Sequence, residues 1–413
     1  AGVANGFARP ERLRDLAALV GFGRQQWTDA DALRELFGLA RELQTDVTAE
    51  RLRQRWVGRT YGLASPGPAQ VAGARRLDRL VTGVDGVVAT RDQLLPIAEA
   101  VGFAQPRWAP QQALSHLLTL ARIDTPLTIS RLREQRVMDV YGLPSVDQGQ
   151  LAAADRLDRS VTGQDGVAAT REELIDRAAL VGFGQPQWTP FDALQELLRL
   201  AAAEPGSPSI EALQRRWVAQ TYDLASPDPA QMAAARRVDR LATQTDGVLA
   251  QPTGLRNLAY QVGIDQGERR PLVHLLARAH WRVEAGEPEL TLGSLRSVPN
   301  DRAAQLYDLG PTVSDGDLAV VAALDRAVAG QEGLFASRTA LRAFAQRVGI
   351  GPDPDEARML RELFARARWQ VERNLYVTEP ALRSVPQRRI ARLYGLPEAS
   401  VDPDAIATAQ RLD

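Results

Sequence analysis

The strongest constraint on the fold is a stretch of sequence that returns along the chain. It reads RRLDRLVTGVDGVVATRDQL at residues 75–94, RLDRSVTGQDGVAATREEL at 156–174 and RRVDRLATQTDGVLAQPTGL at 236–255, and a more divergent version occupies 324–341. The last three residues of the chain, Arg-Leu-Asp, match its beginning. Asp-Gly pairs favour tight turns. We therefore interpret each stretch as a joint, in which one helix ends, the chain turns and the next helix begins.

Two further markers keep the same period. Tyr-Gly-Leu or Tyr-Asp-Leu occurs at Tyr61, Tyr141, Tyr222, Tyr307 and Tyr394, with spacings of 80, 81, 85 and 87 residues. Val-Gly-Phe or Val-Gly-Ile occurs at Val20, Val101, Val181, Val262 and Val348, with spacings of 81, 80, 81 and 86 residues. Regular self-similarity of this kind is the signature of a repeat architecture. We predict five tandem copies, at residues 1–83, 84–163, 164–244, 245–330 and 331–413, the fifth truncated within its joint.

The apolar residues recur at intervals of three and four, which predicts an all-α fold. Each copy is expected to contain four helices. A hydroxyl residue starts the third helix four residues before a leucine, at Thr48, Thr128, Ser209, Thr291 and Thr378. The fourth helix is expected to start near Pro68, Asp147, Pro229, Asp315 or Pro403. Because the joints are apolar and no flexible linker separates the copies, we predict a tandem array of five four-helix repeats of about 80 residues, packed as a solenoid-like rod with a continuous core.

Copies four and five form a variant type. They contain Pro299 and Pro386 in the third helical region, where a proline is expected to break or kink the helix. Their tryptophan also moves to the end of the second helix, at Trp281 and Trp369. We therefore expect these two copies to present a different surface.

Composition limits the partners. The chain has 50 basic and 51 acidic residues, a formal charge of −1 and no cysteine. Such a balance gives no overall attraction to nucleic acid or to a membrane, and no apolar run is long enough for membrane insertion. Every basic residue is arginine, since the sequence contains no lysine. We attribute this mainly to a GC-rich bacterial genome, and the compartment that we favour is extracytoplasmic or at the cell surface.

The aspartate of the joint is the most regular polar residue, at Asp78, Asp158, Asp239 and Asp325. It lies late in its helix, where a negative charge opposes the helix dipole and calls for a compensating cation. The predicted partner is the following arginine (Arg79, Arg159, Arg240 or Arg326) or one from the third helix (Arg53, Arg133, Arg296 or Arg383). A carboxylate reaction site is one interpretation. We favour an ion pair that joins adjacent copies, together with the turn glycines Gly86, Gly166, Gly247 and Gly333.

Catalytic and metal-binding patterns are not found. The segment around Gly86 resembles a calcium loop only in its Asp-Gly, because Val81 and Gly83 stand where oxygen ligands are needed. The histidines His116, His274 and His280 do not have the spacing of a helical metal site. We therefore predict no catalytic residues, no metal and no cofactor. If the chain were an enzyme, it would need a pocket that breaks the repeat symmetry. The most plausible position for such a pocket is where copy three meets copy four.

Arginine beside tryptophan is the remaining pattern, and it suggests an interaction surface that includes Trp27, Trp108, Trp188, Trp281 and Trp369. Such pairs can bind single-stranded nucleic acid by stacking and phosphate contacts, but the balanced charge does not favour it. We expect a non-enzymatic structural or interaction segment of a longer bacterial scaffold or filament-forming protein. Its expected partner is protein, including its own copies end to end, and a helical-repeat nucleic-acid-binding protein is the alternative.

Overall fold

A computed structural model describes residues 9–23, 26–43, 47–123, 126–206, 208–310, 312–330, 335–351, 355–395, 397, 401, 405–406 and 408. In this part of the chain the fold is all-helical, with 20 helices, 67% helix and no strands. The prediction of an all-α fold is confirmed. The chain divides into two compact units, Ala1–Gln214 (unit 1) and Arg215–Asp413 (unit 2).

The described helices of unit 1 are α1 (Pro10–Val20), α2 (Asp29–Glu42), α3 (Ala49–Tyr61), α4 (Pro68–Thr82), α5 (Arg91–Val101), α6 (Pro110–Leu120), α7 (Ile129–Tyr141), α8 (Gln148–Thr162), α9 (Arg171–Val181) and α10 (Pro190–Ala203). The boundary between the units falls in α11 (Ile210–Thr221). The described helices of unit 2 are α12 (Pro229–Thr243), α13 (Pro252–Gln261), α14 (Pro271–Glu284), α15 (Leu292–Tyr307), α16 (Asp315–Ala329), α17 (Arg338–Arg347), α18 (Glu356–Val371), α19 (Glu379–Arg383) and α20 (Val385–Leu393).

The predicted caps start the helices. The hydroxyls of Thr48, Thr128, Thr291 and Thr378 each accept a backbone N–H in the first turn of the helix that follows. The Ser209 hydroxyl likewise accepts the backbone N–H of Ala212. These bonds satisfy donors that the helix itself leaves unpaired. The third-helix starts read from the sequence are therefore confirmed.

The helices that precede the joints share one length and one ending. Each of α4, α8, α12 and α16 has 15 residues and is followed by a residue in the left-handed conformation. That residue is glycine except after α12, where it is Gln244. The predicted starts near Pro68, Asp147, Pro229 and Asp315 are confirmed, and Pro403 lies outside the described residues.

The helix is broken at the proline in copy five and continues through the proline in copy four. Ser384 separates α19 from α20 directly before Val385 and Pro386, so the helix is broken there. In copy four α15 continues through Pro299 from Leu292 to Tyr307. Thr291 caps the start of that helix, and its buried face packs on α14, α16 and α18, which holds it together.

Each unit has a core that crosses the predicted copy boundaries. In unit 1 a single cluster contains Tyr61 and Leu77 before the first joint, Leu94 and Leu114 after it, and Val167 from the second joint. In unit 2 Leu324 of α16 shares a cluster with Leu363 of α18. Neighbouring helical segments therefore bury apolar surface against one another within each unit.

Candidate functional site

The joint aspartate is buried at all four described joints. Its side chain is 3 to 5% exposed, and its Oδ1 accepts the backbone N–H of an alanine eleven residues later. The N–H to Oδ1 distances are 2.9 Å for Asp78–Ala89, 3.0 Å for Asp158–Ala169, 3.1 Å for Asp239–Ala250 and 2.9 Å for Asp325–Ala336. We call the extended residues that end at these alanines (87–89, 167–169, 248–250 and 335–336) the straps. The carboxylate thus fixes the strap to the end of the preceding helix.

A different arginine from those predicted compensates the carboxylate at two joints. Arg136 Nη1 lies 2.7 Å from Asp158 Oδ2. Arg302 binds both oxygens of Asp325 at 2.6 and 2.7 Å, and it also donates to the Ala336 carbonyl at 2.8 Å. Both arginines stand five residues before the marker tyrosine. At that position copies one and three have Trp56 and Trp217 instead, so the joints are of two kinds.

The predicted arginines mostly bind elsewhere. The arginine that follows the joint aspartate pairs with the turn aspartate, as in Arg79–Asp85 at 3.3 Å and Arg240–Asp246 at 3.1 Å. Arg133 pairs with Asp155 at 2.6 Å. The remaining third-helix arginines of the described region, Arg296 and Arg383, donate to the carbonyls of Gln261 and Arg347. The reason is geometric, because these side chains leave the helix on other faces than the buried one.

Arg53 is the predicted arginine that does approach its aspartate. Its Nη2 lies 3.8 Å from Asp78 Oδ2, which is beyond hydrogen-bond distance. The first joint therefore has a weaker ionic contact than the second and fourth joints.

Burial raises the pKa of the aspartate at all four described joints. Burial raises the pKa of Asp78 and of Asp239 to about 7, opposed at Asp239 only by the backbone N–H of Ala250 and at Asp78 also by Arg53. Burial raises the pKa of Asp158 and of Asp325 too, against the opposing charge and hydrogen bond of Arg136 and Arg302. Loss of hydration is the common cause.

The preceding copy holds the strap from the other side. Val88 donates its N–H to the Gly21 carbonyl at 2.9 Å, and its own carbonyl accepts the indole Nε1–H of Trp27 at 3.2 Å. The second joint repeats this pattern: Ala168 N–H binds the Gly102 carbonyl at 2.8 Å, and Trp108 Nε1–H binds the Ala168 carbonyl at 3.1 Å. Each of these two straps is therefore tied both to the preceding helix and to the copy before.

Glycine is required where strap and helix end approach closely. Gly21 has φ +115°, and a Cβ added to it would lie 2.6 Å from the Gly86 carbonyl oxygen. The turn glycines Gly86, Gly166 and Gly247 have φ of 87°, 71° and 75°, the left-handed region that glycine adopts without strain. Gly333 lies outside the described residues.

Two of the five tryptophans proposed as an interaction surface belong to the interior. Trp108 and Trp188 are 9% and 7% exposed. Trp27 is half-buried beside Phe22 and Trp56, at ring distances of 4.9 and 5.6 Å. The strap carbonyls that accept the indole N–H groups of Trp27 and Trp108 lie 61 and 60 residues later in the sequence, and no local pattern indicates these contacts. Trp281 and Trp369 are half-buried.

The arginines beside the tryptophans are engaged with acids. Arg55 pairs with Glu42 at 2.5 Å, Arg107 with Glu173, and Arg368 with Asp317 at 3.3 Å. Paired guanidinium groups offer less charge to a phosphate backbone. This geometry does not favour the nucleic-acid interpretation.

A cavity of about 610 Å³ opens in unit 2 beside the strap of the fourth joint. Trp281 and Leu276 of α14, Arg302 and Leu306 of α15, and Phe335 are among its walls. Its volume is in the range of small-molecule pockets. Arg302 is fully engaged with Asp325 and Ala336, and it lies over the Phe335 ring at 4.5 Å.

The titratable pair in this cavity is His280 and Glu284, one turn apart on α14. His280 Nε2 and Glu284 Oε1 are 3.7 Å apart, which is longer than a hydrogen bond. No serine or threonine hydroxyl is hydrogen-bonded to His280 among the described contacts. The arrangement can hold an apolar or aromatic molecule, but it lacks the nucleophile–base pair of covalent catalysis.

No group of three or more His, Asp or Glu side chains among the described residues could hold a metal ion. No helix of this region combines the length and the apolar character that crossing a bilayer requires. His116 lies stacked on Phe103 at 5.3 Å, and burial lowers its pKa.

Comparison of the chain with protein-family models, with curated proteins and with solved structures finds no match. The signal that could have found Arg136 and Arg302 in the sequence is their fixed distance of five residues from the marker tyrosine.

Proposed function

We propose that the chain is a non-enzymatic structural and interaction segment, a tandem array of five copies that belongs to a longer bacterial scaffold or filament-forming protein. The observation that carries the proposal is the recurrence of one buried contact. Asp78, Asp158, Asp239 and Asp325 each bind the strap eleven residues later. The most regular polar side chain of the chain is thus used to hold consecutive helical segments together.

Two further features support a structural role over a catalytic one. The joint aspartates are at most 5% exposed and the tyrosines beside them at most 2%, so a substrate has no access to them. The apolar cores cross the predicted copy boundaries within each unit, as expected of an array whose copies are stabilised by their neighbours.

Stretching the chain between its two ends in a single-molecule experiment tests the array. Copies of about 80 residues should unfold in successive steps, each adding about 28 nm of contour length at roughly 3.5 Å per residue. Asp158→Ala should lower the rupture force of one step and leave the number of steps unchanged. Rupture in steps unrelated to this length would contradict the array.

Nucleic-acid binding, the alternative function, is tested by the fluorescence anisotropy of labelled single-stranded DNA and RNA. The scaffold proposal expects no binding at physiological salt. Binding of the DNA or RNA with an affinity that falls steeply between about 50 and 200 mM salt would favour the alternative and contradict the scaffold proposal.

A further inference from the structure

The cavity beside the fourth strap lies against a strap position that binds a tryptophan elsewhere in the chain. Phe335, the residue before the strap alanine, lines the cavity. At the first joint the carbonyl of Val88, which has the same strap position, accepts the indole N–H of Trp27 at 3.2 Å. At the second joint Ala168 and Trp108 make the same bond at 3.1 Å. An indole ring therefore lies on the strap at both of these joints.

The fourth copy has no tryptophan at the corresponding position. In the first three copies the tryptophan stands seven residues after the valine of the Val-Gly marker, at Trp27, Trp108 and Trp188. The same count from Val262 reaches Arg269, which is exposed. Trp281 lines the cavity from α14, but no hydrogen bond joins its indole to the described strap residues. Within the described part of the chain, no donor binds the Phe335 carbonyl.

The walls of the cavity suit an aromatic ring. Phe335 and Trp281 line it together with Leu276 and Leu306, which are 3% and 8% exposed. Aromatic rings pack favourably on other rings, either offset and parallel or edge to face. The volume of about 610 Å³ admits a bicyclic aromatic molecule with room for a substituent.

The strap side of the cavity is held in place before any ligand binds. Arg302 is 1% exposed, and it donates to the Ala336 carbonyl at 2.8 Å and to both oxygens of Asp325. Its guanidinium group lies over the Phe335 ring at 4.5 Å. Because this wall is already ordered, binding there loses less conformational entropy than binding to a mobile segment.

The charged side chains of the wall already face partners. Arg302 is bound within the joint, Arg338 lies 3.9 Å from Glu356, and Glu284 lies 3.7 Å from His280. A charged ligand would have to compete for these groups or remain unpaired, and an unpaired charge is costly to remove from water. The wall therefore favours a neutral molecule.

We propose that this cavity binds a small neutral molecule of the indole class, that is, a planar bicyclic ring with a ring N–H. The N–H donates to the Phe335 carbonyl, as Trp27 and Trp108 donate to strap carbonyls within the chain, and the ring packs against Phe335 and Trp281. The ligand thus supplies at the fourth joint the group that the chain itself supplies at the first two. Such binding goes beyond the structural role proposed above, because one joint then responds to a molecule from outside the chain.

Isothermal titration calorimetry of the full chain with indole tests the site. Indole should bind with one-to-one stoichiometry and a Kd below about 1 mM. N-methylindole keeps the ring system but has no N–H, so it should bind at least about tenfold more weakly, since the strap carbonyl would stay unpaired. A chain that does not bind indole, or that binds the two compounds equally, would overturn the proposal.

A substitution at the rim tests whether the ring enters this cavity. Thr339 is exposed and lines the cavity, so Thr339→Trp should fill it and abolish indole binding. Asp92→Trp is the matched control. Asp92 is the second residue of α5, as Thr339 is of α17, and the strap before it already binds Trp27. The control should bind indole like the native chain. Unchanged affinity of Thr339→Trp would show that indole binds elsewhere.

Phe335→Leu separates the contribution of the ring from that of the carbonyl. Leu249 occupies this strap position at the third joint, so the variant should fold, which circular dichroism melts verify for every variant. Loss of the aromatic wall should weaken indole binding about three- to tenfold. The preference for indole over N-methylindole should persist, because the backbone carbonyl is unchanged. A variant that binds indole as tightly as the native chain would contradict the packing against Phe335.

Hydrogen exchange locates the bound ring independently of these variants. Saturating indole should slow the exchange of peptides that cover residues 335–336 and leave that of residues 87–89 unchanged, because Trp27 already binds the first strap. Protection at residues 87–89 without protection at residues 335–336 would overturn the assignment of the ligand to the fourth joint.

Discussion

The four joint aspartates occupy one position in the sequence and two chemical environments. Asp158 and Asp325 have an arginine within 2.7 Å, whereas Asp239 has the N–H of Ala250 and a tryptophan where the arginine would stand. A buried carboxylate without a counter-ion favours its protonated form. The same residue type should therefore respond to substitution in opposite ways at the two kinds of joint.

Asp239→Asn should stabilise the protein at neutral pH. In the folded protein burial raises the pKa of Asp239 from its ordinary value of 3.8 to about 7. A raised carboxyl pKa means that the folded state holds the proton more tightly. Its contribution to stability is therefore complete below pH 3.8 and is lost as the pH rises toward 7, by up to about 1.4 kcal/mol per pH unit. The asparagine variant, which still accepts the Ala250 N–H, should lose this decline.

Asp158→Asn is the control, and it should destabilise the protein. It removes the buried charge that Arg136 binds at 2.7 Å and leaves that arginine only its longer contact with Asp155 at 3.8 Å. Removing one partner of a buried ion pair typically costs about 3–5 kcal/mol. Urea unfolding at pH 5 and pH 8, with hydrogen exchange of the peptides that cover residues 167–169 and 248–250, measures both effects. Equal responses of the two variants would show that the joints are not chemically distinct.

The hydrogen bond from the Trp108 indole to the strap should contribute measurably to the free energy of unfolding. Trp108→Phe keeps most of the ring in the core but removes the donor to the Ala168 carbonyl. A buried carbonyl left without its partner should reduce the free energy of unfolding by about 1–3 kcal/mol. Trp108→Ala should cost more, about 3–5 kcal/mol, because it also leaves a cavity. Urea titration of the native chain and the two variants would measure their free energies of unfolding. A Trp108→Phe variant as stable as the native chain would show that this hydrogen bond does not contribute to stability.

At the level of elements, the sequence predicted the helices better than their contacts. Thr48 and Thr128 indicate the start of a helix in the sequence, because a capping hydroxyl binds a backbone N–H in the first turn of the helix that follows it. The partner of Asp158 could not be read in this way. Arg133 and Arg136 both lie on α7, and only the packing of α7 on α8 decides which of them is buried. The hydrogen bond of Trp108 could not be read from the sequence for the same reason, because the strap carbonyl that it binds lies 60 residues away.

Two glycines near the first strap, Gly21 and Gly86, should respond differently to substitution by alanine. Gly86→Ala introduces a Cβ that meets no atom within 4 Å, so the expected cost is the backbone strain alone, about 1–2 kcal/mol. Gly21→Ala should cost more, because its Cβ would press on the Gly86 carbonyl and displace the Val88 N–H from Gly21. Thermal melts of the two variants give the comparison. A smaller Tm decrease for Gly21→Ala than for Gly86→Ala would contradict the close approach.

At the level of the whole molecule, the joints should behave as separate elements. Asp78 and Trp27 hold the same strap, through Ala89 and Val88. Asp78 and Asp325 share no described partner. In double-mutant cycles Asp78→Ala with Trp27→Phe should deviate from additivity by about 0.5–3 kcal/mol, whereas Asp78→Ala with Asp325→Ala should add within about 0.5 kcal/mol. Strong coupling of the second pair would show long-range cooperation that local contacts do not explain.

The distance of eleven residues between aspartate and alanine is the same at all four described joints, although the copies differ in length elsewhere. An insertion or deletion within these eleven residues would move the alanine N–H away from the aspartate that accepts it, while the differences in copy length show that changes elsewhere are tolerated. Genetic exchange between equivalent joints therefore yields hybrid copies that keep the eleven-residue spacing between aspartate and alanine. A gene of this design can lengthen or shorten its product by whole modules and reshuffle them in any order.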